Sequence, residues 1–364
     1  MTAAAFEENA MKKTAIVYSP KFLNHQTGHG HPESPRRLHA IIEGIKQSRI
    51  LEHENCAFIS PKLASLEDLR NVHSTEYIRH VKRLSESGGG ILDKETETRV
   101  SKQSFEVARL AAGGAVEAVN KVMAGEFGNA FVLARPPGHH SGTNYGMGFC
   151  VFNNVAIAAE HLVRRFGLSR VLILDIDSHH GNGTQEIFYG TPKVLYVSLH
   201  EDPTEFPEAG FMDETGEGRG LGFTVNIPFP FGTGDAVYWK AVRTVVLPIM
   251  KQFRPQFVLL SAGFDGHYRD AVGELSLSKQ IYPMIFQAVL EFAENVCKGR
   301  IVAVLEGGYC LSVLRKVVPV VISQMAGQRM TLRERVPPLD LDVQRQAEKI
   351  LKGVKTIQSE FWTL

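Results

Sequence analysis

Cysteine is scarce and scattered in this chain. Cys56, Cys150, Cys297 and Cys310 lie far apart with no C-x-x-C pair, which argues against a disulfide framework or a thiolate zinc site. Neither charge sign predominates: 40 Lys and Arg oppose 39 Asp and Glu, for a formal net charge of +1. No Lys/Arg-rich block is present, so neither a nucleic acid nor a membrane is expected as a partner. No apolar run reaches the roughly 18–20 residues of a membrane span. The opening "MTAAAFEENAMKK" has no basic stretch ahead of an apolar core, so no signal peptide is expected and the protein is read as soluble and cytoplasmic.

What the chain does contain is an ordinary globular composition, 44% hydrophobic and 22% charged over 364 residues, enough to bury a substantial core. The runs "KTAIVYS", "NAFVLA", "RVLILDID", "KVLYVSL", "FTVNIPF", "QFVLLSAG" and "RIVAVLEGG" are rich in β-branched residues and read as strands. Their unbroken apolarity predicts burial on both faces of a parallel sheet. Helical spacing recurs between them, over 104–124 (Val107, Leu110, Ala111, Gly114, Ala115, Ala118, Val119, Val122) and 154–167 (Val155, Ala158, Ala159, Leu162, Val163, Phe166). This alternation predicts a doubly wound α/β fold. One domain is expected over 14–330, after an N-terminal extension (1–13) and before a helical segment (331–364). Val343, Ala347, Ile350, Leu351, Val354 and Ile357 share one face of that segment. It is expected to pack on its own domain rather than form an oligomer contact, although a homo-oligomer stays open. The segments 85–102 and 201–222 lack periodicity and read as long loops.

Ligands of open parallel sheets bind beyond the carboxyl ends of the strands, and here several strands end in titratable residues. "NAFVLA" leads to His139 and His140, "LILDIDSHHGNGTQ" carries Asp175, Asp177, His179 and His180, "FVLLSAG" leads to Asp265, and "IVAVLEGG" leads to Tyr309. If the chain stays extended, Asp177 and His179 point the same way. With Asp265 they form a carboxylate–imidazole–carboxylate set that leaves a position open for water, as in a catalytic zinc site. Oxygen and nitrogen donors would also accept Fe²⁺, Co²⁺ or Mn²⁺. A buried salt bridge would account for Asp177 and His179 alone, but not for Asp265 and the His139–His140 pair as well. Asp175 and Asn182 are candidates to orient the two imidazoles. A carboxylate partner raises one pKa, and a neutral amide leaves the other nearer its intrinsic value. After Glu306-Gly307-Gly308, Tyr309 can donate to an oxyanion.

In order and spacing, "HPESPRR", "RPPGHH", "GFCVFNNVAIAA", "DIDSHHGNGTQ", "SAGFD" and "EGGY" resemble the zinc-dependent histone deacetylase family, which includes acetoin-utilisation proteins and acetylpolyamine amidohydrolases. The resemblance runs from about residue 14 to 325. It implies an arginase/deacetylase-like α/β domain with a central, mostly parallel sheet of about eight strands flanked by helices. By position it implies one zinc per chain held by Asp177, His179 and Asp265, His140 as general base and acid, and His139 as the supporting histidine paired with Asp175. Tyr309 matches the carbonyl-polarising tyrosine, and Asn182 resembles the class II-like branch. Phe149 and Phe206 match the walls of an acyl-lysine tunnel, Gly148 the carbonyl that accepts the amide hydrogen, and Val272 the gatekeeper. Gly308 is counted with the substrate contacts, Asp93 resembles a rim carboxylate, and Arg37 an arginine of the acetate-release channel. The family also binds potassium or sodium, at positions matched by Asp175, Asp177, His179, Ser198 and Leu199 and, in a second site, by Phe188, Thr191, Val194 and Phe223.

The implied reaction is hydrolysis of an acyl amide, acetyl first, on the lysine of a peptide or protein. The rival is the same chemistry on acetylated polyamines or another small acylated amine. A polyamine site should carry an acidic residue at its mouth, and Val272 is apolar, although Glu274 or the acidic loops could supply the charge. An arginase-type binuclear centre needs bridging carboxylates where "PPGHH" supplies imidazoles. A non-catalytic acyl-lysine binder would not need every catalytic position filled.

Overall fold

The unbroken apolar runs become the centre of an eight-stranded sheet. A computed structural model describes residues 13–364 apart from positions 329 and 337, so residues 1–12 of the expected N-terminal extension lie outside the described residues. The strands are β1 (Thr14–Val17), β2 (Cys56–Ile59), β3 (Gly89–Asp93), β4 (Thr98–Ser101), β5 (Asn129–Val132), β6 (Val171–Asp175), β7 (Val194–Glu201), β8 (Thr224–Phe229), β9 (Phe257–Ala262) and β10 (Ile301–Leu305). The main sheet runs β2-β1-β5-β10-β9-β6-β7-β8, with every pairing parallel. All residues of β5, β6, β7, β8, β9 and β10 are buried, as a parallel sheet covered on both faces requires.

Helices Ser104–Met123 and Asn154–Arg165 pack together over one face. Arg36–Ser48, Leu311–Met325 and Ile281–Cys297 form a second contiguous group. The helix Leu341–Gln358 buries Ala347, Leu351 and Val354 and packs on β8, where the Trp362 indole just beyond it donates to the Gly222 carbonyl at 2.9 Å. No helix among the described residues is long and apolar enough to cross a membrane.

Two departures from the sequence reading bear on the site. β2 is a four-residue edge strand with one buried residue, too short and too polar in pattern to stand out. The segment 85–102 is not a loop: β3 and β4 pair antiparallel. Asp93 closes their turn, accepting from the Thr96 amide at 2.9 Å and the Glu95 amide at 3.3 Å. Such side-chain turn bonds leave no hydrophobic period to read.

Register places the reactive strand ends side by side. Asp175 pairs with Ser261 on β9 and with Ser198 on β7, while Leu305 of β10 pairs with Ala262. Residues two to four beyond these points therefore converge on one patch.

Close helix packing depends on Gly44. A Cβ there would overlap the Arg315 carbonyl oxygen and lie 2.9 Å from the Pro319 ring. Gly44→Ala would gain about 1 kcal/mol of helix propensity, but overpacking against backbone that cannot rotate away costs roughly 1–3 kcal/mol. A lower denaturation midpoint is expected; a higher one would show that the two helices separate without cost.

Candidate active site

Beyond β6 the chain bends rather than staying extended. The His179 amide turns back to donate to Asp177 Oδ1 at 3.0 Å, and this bend, not strand alternation, aligns the two side chains. One potential ligand atom each from Asp177, His179 and Asp265 lies within 4.8 Å of the others. His179 Nδ1 is 3.4 Å from both Asp177 Oδ1 and Asp265 Oδ2. The outer carboxylate oxygens are fixed by backbone: the Gly307 amide donates to Asp177 Oδ2 at 2.7 Å and the Ser178 amide to Asp265 Oδ1 at 2.9 Å.

Asp265 Oδ2 is buried with no hydrogen-bond donor. Burial, then the charge of Asp177, pushes the Asp265 carboxyl up to about 7. A Cβ on Gly307 would overlap Asp265 Oδ2, so the backbone is kept bare against the pair. An unpartnered carboxylate oxygen beside a second carboxylate and an imidazole fits a divalent cation, because buried charges are otherwise costly. The donor set of two carboxylates and one imidazole suits zinc with an open position.

The two neighbouring histidines differ as their partners do. His139 Nδ1 lies 3.1 Å from Asp175 Oδ2, and His140 Nδ1 lies 2.8 Å from Asn182 Oδ1. Burial alone would depress both. For His139 the carboxylates of Asp177 and Asp175 overcome it and raise the imidazole to about 10. For His140 burial is reinforced by His139 and His179, which hold it well below its ordinary value. The ring centroids lie 4.0 Å apart with the planes tilted by 47°, so an imidazole that favours its protonated form stands beside one that favours its neutral form.

These groups open into a cavity of about 610 Å³ lined by His140, His179, Gly148, Phe149, Phe206, Val272 and Tyr309. Phe206 lies 4.9 Å from the His140 ring, and Phe149 lies 5.8 Å from Tyr309. Gly148 and Phe149 both take positive φ, 54° and 67°, strained for a phenylalanine. The β3–β4 hairpin holds them there: Thr96 Oγ1 accepts from the Gly148 amide at 2.8 Å and Thr98 Oγ1 from the Phe149 amide at 2.9 Å. Burial keeps the Tyr309 phenol well above its ordinary value despite Arg37 nearby, so it is a proton donor.

Other expected residues are placed differently. Asp93 does not line the cavity; its oxygens close the hairpin turn, which presents Glu95, Thr96 and Glu97 instead. Glu274 does not line it either. The Gly308 carbonyl turns away, accepting from Arg37 Nε at 2.6 Å. Arg37 is fully buried beneath the "EGGY" turn, with its guanidinium 4.9 Å from the Tyr309 ring centroid. Asp175 and Ser198 are register partners beside Leu199. At the other end of β7, the Phe188 carbonyl accepts from the Thr191 amide and the Phe223 carbonyl from the Tyr196 amide, near Val194.

Several supporting residues escaped the sequence reading. Asp270 Oδ2 accepts from the Tyr309 and Cys310 amides, both at 2.7 Å, and Oδ1 accepts from the Val272 amide at 3.2 Å. Glu33 Oε1 joins Arg135 Nε at 2.7 Å and Arg37 Nη1 at 3.4 Å, all three fully buried. Glu33 and Arg135 sat inside quoted motifs. For Asp270, only its position five residues past Asp265 could have drawn notice.

The sheet order and strand-end pocket are those of the arginase/deacetylase-like α/β class. Residues 31–325 match the histone deacetylase domain; the chain belongs to the histone deacetylase family and is a hydrolase. A probable deacetylase of Archaeoglobus fulgidus is 39% identical over 358 residues, covering 96% of this chain and 98% of the relative. A histone deacetylase-like amidohydrolase of Pseudomonas aeruginosa is 39% identical over 84% of this chain and 79% of its own. The polyamine deacetylase HDAC10 of Mus musculus is 41% identical over 91% of this chain but 50% of its own length. The crystal structure of the HDA15 HD domain superposes with a TM-score of 0.86 at 34% identity, covering 97% of this chain and 96% of that one.

Among the described residues, Glu33 is the only carboxylate bonded to both buried guanidiniums. Glu33→Gln leaves Arg37 and Arg135 short of compensation and is expected to cost about 3–5 kcal/mol, read by chemical denaturation. A loss below about 1 kcal/mol would show that backbone carbonyls alone satisfy the two arginines.

Proposed function

We propose that this protein hydrolyses acyl amides, acetyl first, on lysine side chains, using a zinc ion held by Asp177, His179 and Asp265. The observation that carries this reading is the joint placement of that ligand set and the differently partnered His139–His140 pair on a tunnel walled by Phe149 and Phe206. When bound, zinc supplies Lewis-acid stabilisation of developing negative charge and acidifies water.

The chain's own residues do the rest. His140, kept neutral by burial and the neighbouring His139 and aligned by Asn182, accepts the proton of the attacking water at Nε2. His139, kept cationic by Asp177 and Asp175, adds fixed positive charge, and His140 returns its proton to the departing amine. Tyr309 donates its phenolic hydrogen to the oxyanion. The apolar walls exclude bulk water from an extended acyl-lysine, whose amide hydrogen the Gly148 carbonyl accepts. Arg37 lines the exit for acetate. A potassium or sodium ion beside Asp175, Ser198 and Leu199 would brace the same strand ends, with a second among the carbonyls of Phe188, Thr191, Val194 and Phe223.

A second reading, deacetylation of acetylpolyamines, is favoured by one observation: Glu95 and Glu97 line the cavity and could pair with a secondary ammonium. Val272, also on the cavity wall, favours acyl-lysine.

Zinc-loaded protein assayed side by side on acetyl-lysine peptides and acetylpolyamines tests both readings. Peptide turnover is expected, lost on chelation and restored by zinc. Tyr309→Phe is expected to lower kcat by about 10²–10³-fold with little change in KM, the size of one oxyanion donor. Turnover of polyamines alone would move the substrate to small amines with the chemistry intact. Undiminished turnover by Tyr309→Phe would remove the phenol from the mechanism.

A further inference from the structure

We propose that Glu201 is a positioning residue of the metal centre, fixing the proton of His179 on Nε2 so that Nδ1 is left free to bind the ion. This rests on the zinc reading above. The two nitrogens of His179 face opposite ways. Nδ1 looks at Asp177 and Asp265, and Nε2 lies 3.4 Å from Glu201 Oε1. A ring that offers one nitrogen as a ligand must carry its proton on the other, and the acceptor of that proton fixes the tautomer and ring plane.

Glu201 is built for this task. It is buried, the last residue of β7, three positions beyond Ser198. Ser198 pairs with Asp175, and the Glu201 amide carries the alignment on by donating to the Ser178 carbonyl at 2.7 Å. Its Oε2 accepts from the Ser178 hydroxyl and from the Glu274 amide at 2.7 Å. Oε1 is thereby left to His179 alone. The carboxylate also ties together the two segments that carry ligands, because Ser178 adjoins His179 and Glu274 lies on the loop that follows Asp265. A carboxylate behind an imidazole raises its basicity, and losing such a partner costs about 10–100-fold in metal affinity.

The test is zinc titration of the full chain, stripped by chelation, against a chromophoric chelator. Wild type, Glu201→Gln and Asp265→Asn are compared. Glu201→Gln keeps the volume and an acceptor oxygen but removes the charge, and it is expected to bind zinc 10–100-fold more weakly. In the zinc-loaded protein the His179 Nε2 proton should resonate far downfield, and move upfield in Glu201→Gln, a change that loosened packing alone would not produce. Ser178→Ala, which frees Glu201 Oε2 without touching the ring, should weaken zinc in the same direction and replaces Glu201→Gln if that variant does not fold. Zinc affinity within twofold of wild type in both variants, with binding lost in Asp265→Asn, would overturn the role of Glu201 and leave the metal site standing. Binding unchanged in Asp265→Asn would overturn the metal reading and this proposal with it.

Discussion

Asp177 and Asp265 face each other across the carboxyl ends of two adjacent buried strands, and each is almost wholly out of water. Two like charges in such a place are unfavourable unless a cation or donors compensate them. The surrounding structure is arranged to supply that compensation from every side but one. Backbone amides from Gly307 and Ser178 take the outer oxygens, His179 approaches the inner ones, and His139 stands 3.8 Å from Asp177 Oδ1. What stays without a hydrogen bond is Asp265 Oδ2, the oxygen that the proposed zinc would engage. The same field explains the two histidines. Of the pair, His139 lies nearer the carboxylates, which favour its cation; His140, one residue further and backed by an amide, is held towards its neutral form by burial and then by that cation.

Strand-end logic made much of this legible in the sequence. Continuous apolarity marks β5, β6, β9 and β10 because each is buried on both faces, and the polar residues just past them could then be assigned to one rim. Asp177 and His179 lie side by side through a bend held by the His179 amide rather than through extended chain. What could not be read depends on register or on turns. Glu201 ends β7 as Asp265 follows β9, but its nearness to His179 requires knowing that β7 adjoins β6 and runs three residues further. The β3–β4 hairpin hid because Asp93 and Thr96 make its turn through side-chain bonds. Resemblance alone matches Asp93 to a rim carboxylate, whereas its oxygens are taken up by the amides of the turn.

The walls of the tunnel are less autonomous than the floor. Phe149 keeps a left-handed backbone that costs on the order of 1–3 kcal/mol, and the Thr96 and Thr98 hydroxyls hold it. The wall therefore depends on a hairpin that contributes no side chain to the proposed chemistry. On the opposite side, Asp270 binds the amides of Tyr309, Cys310 and Val272 with one carboxylate. Val272 and the Tyr309 phenol are thus parts of one unit. A substitution that shifts the 270–272 backbone must also shift Tyr309, so the cavity wall at Val272 and the position of the phenol cannot vary independently here. By contrast, Glu95 and Glu97 reach the cavity from the hairpin tip, which carries no ligand or proton-transfer residue. The charge of the mouth can therefore change without disturbing the floor, and for that reason substrate choice follows from this chain's sequence less directly than its chemistry does.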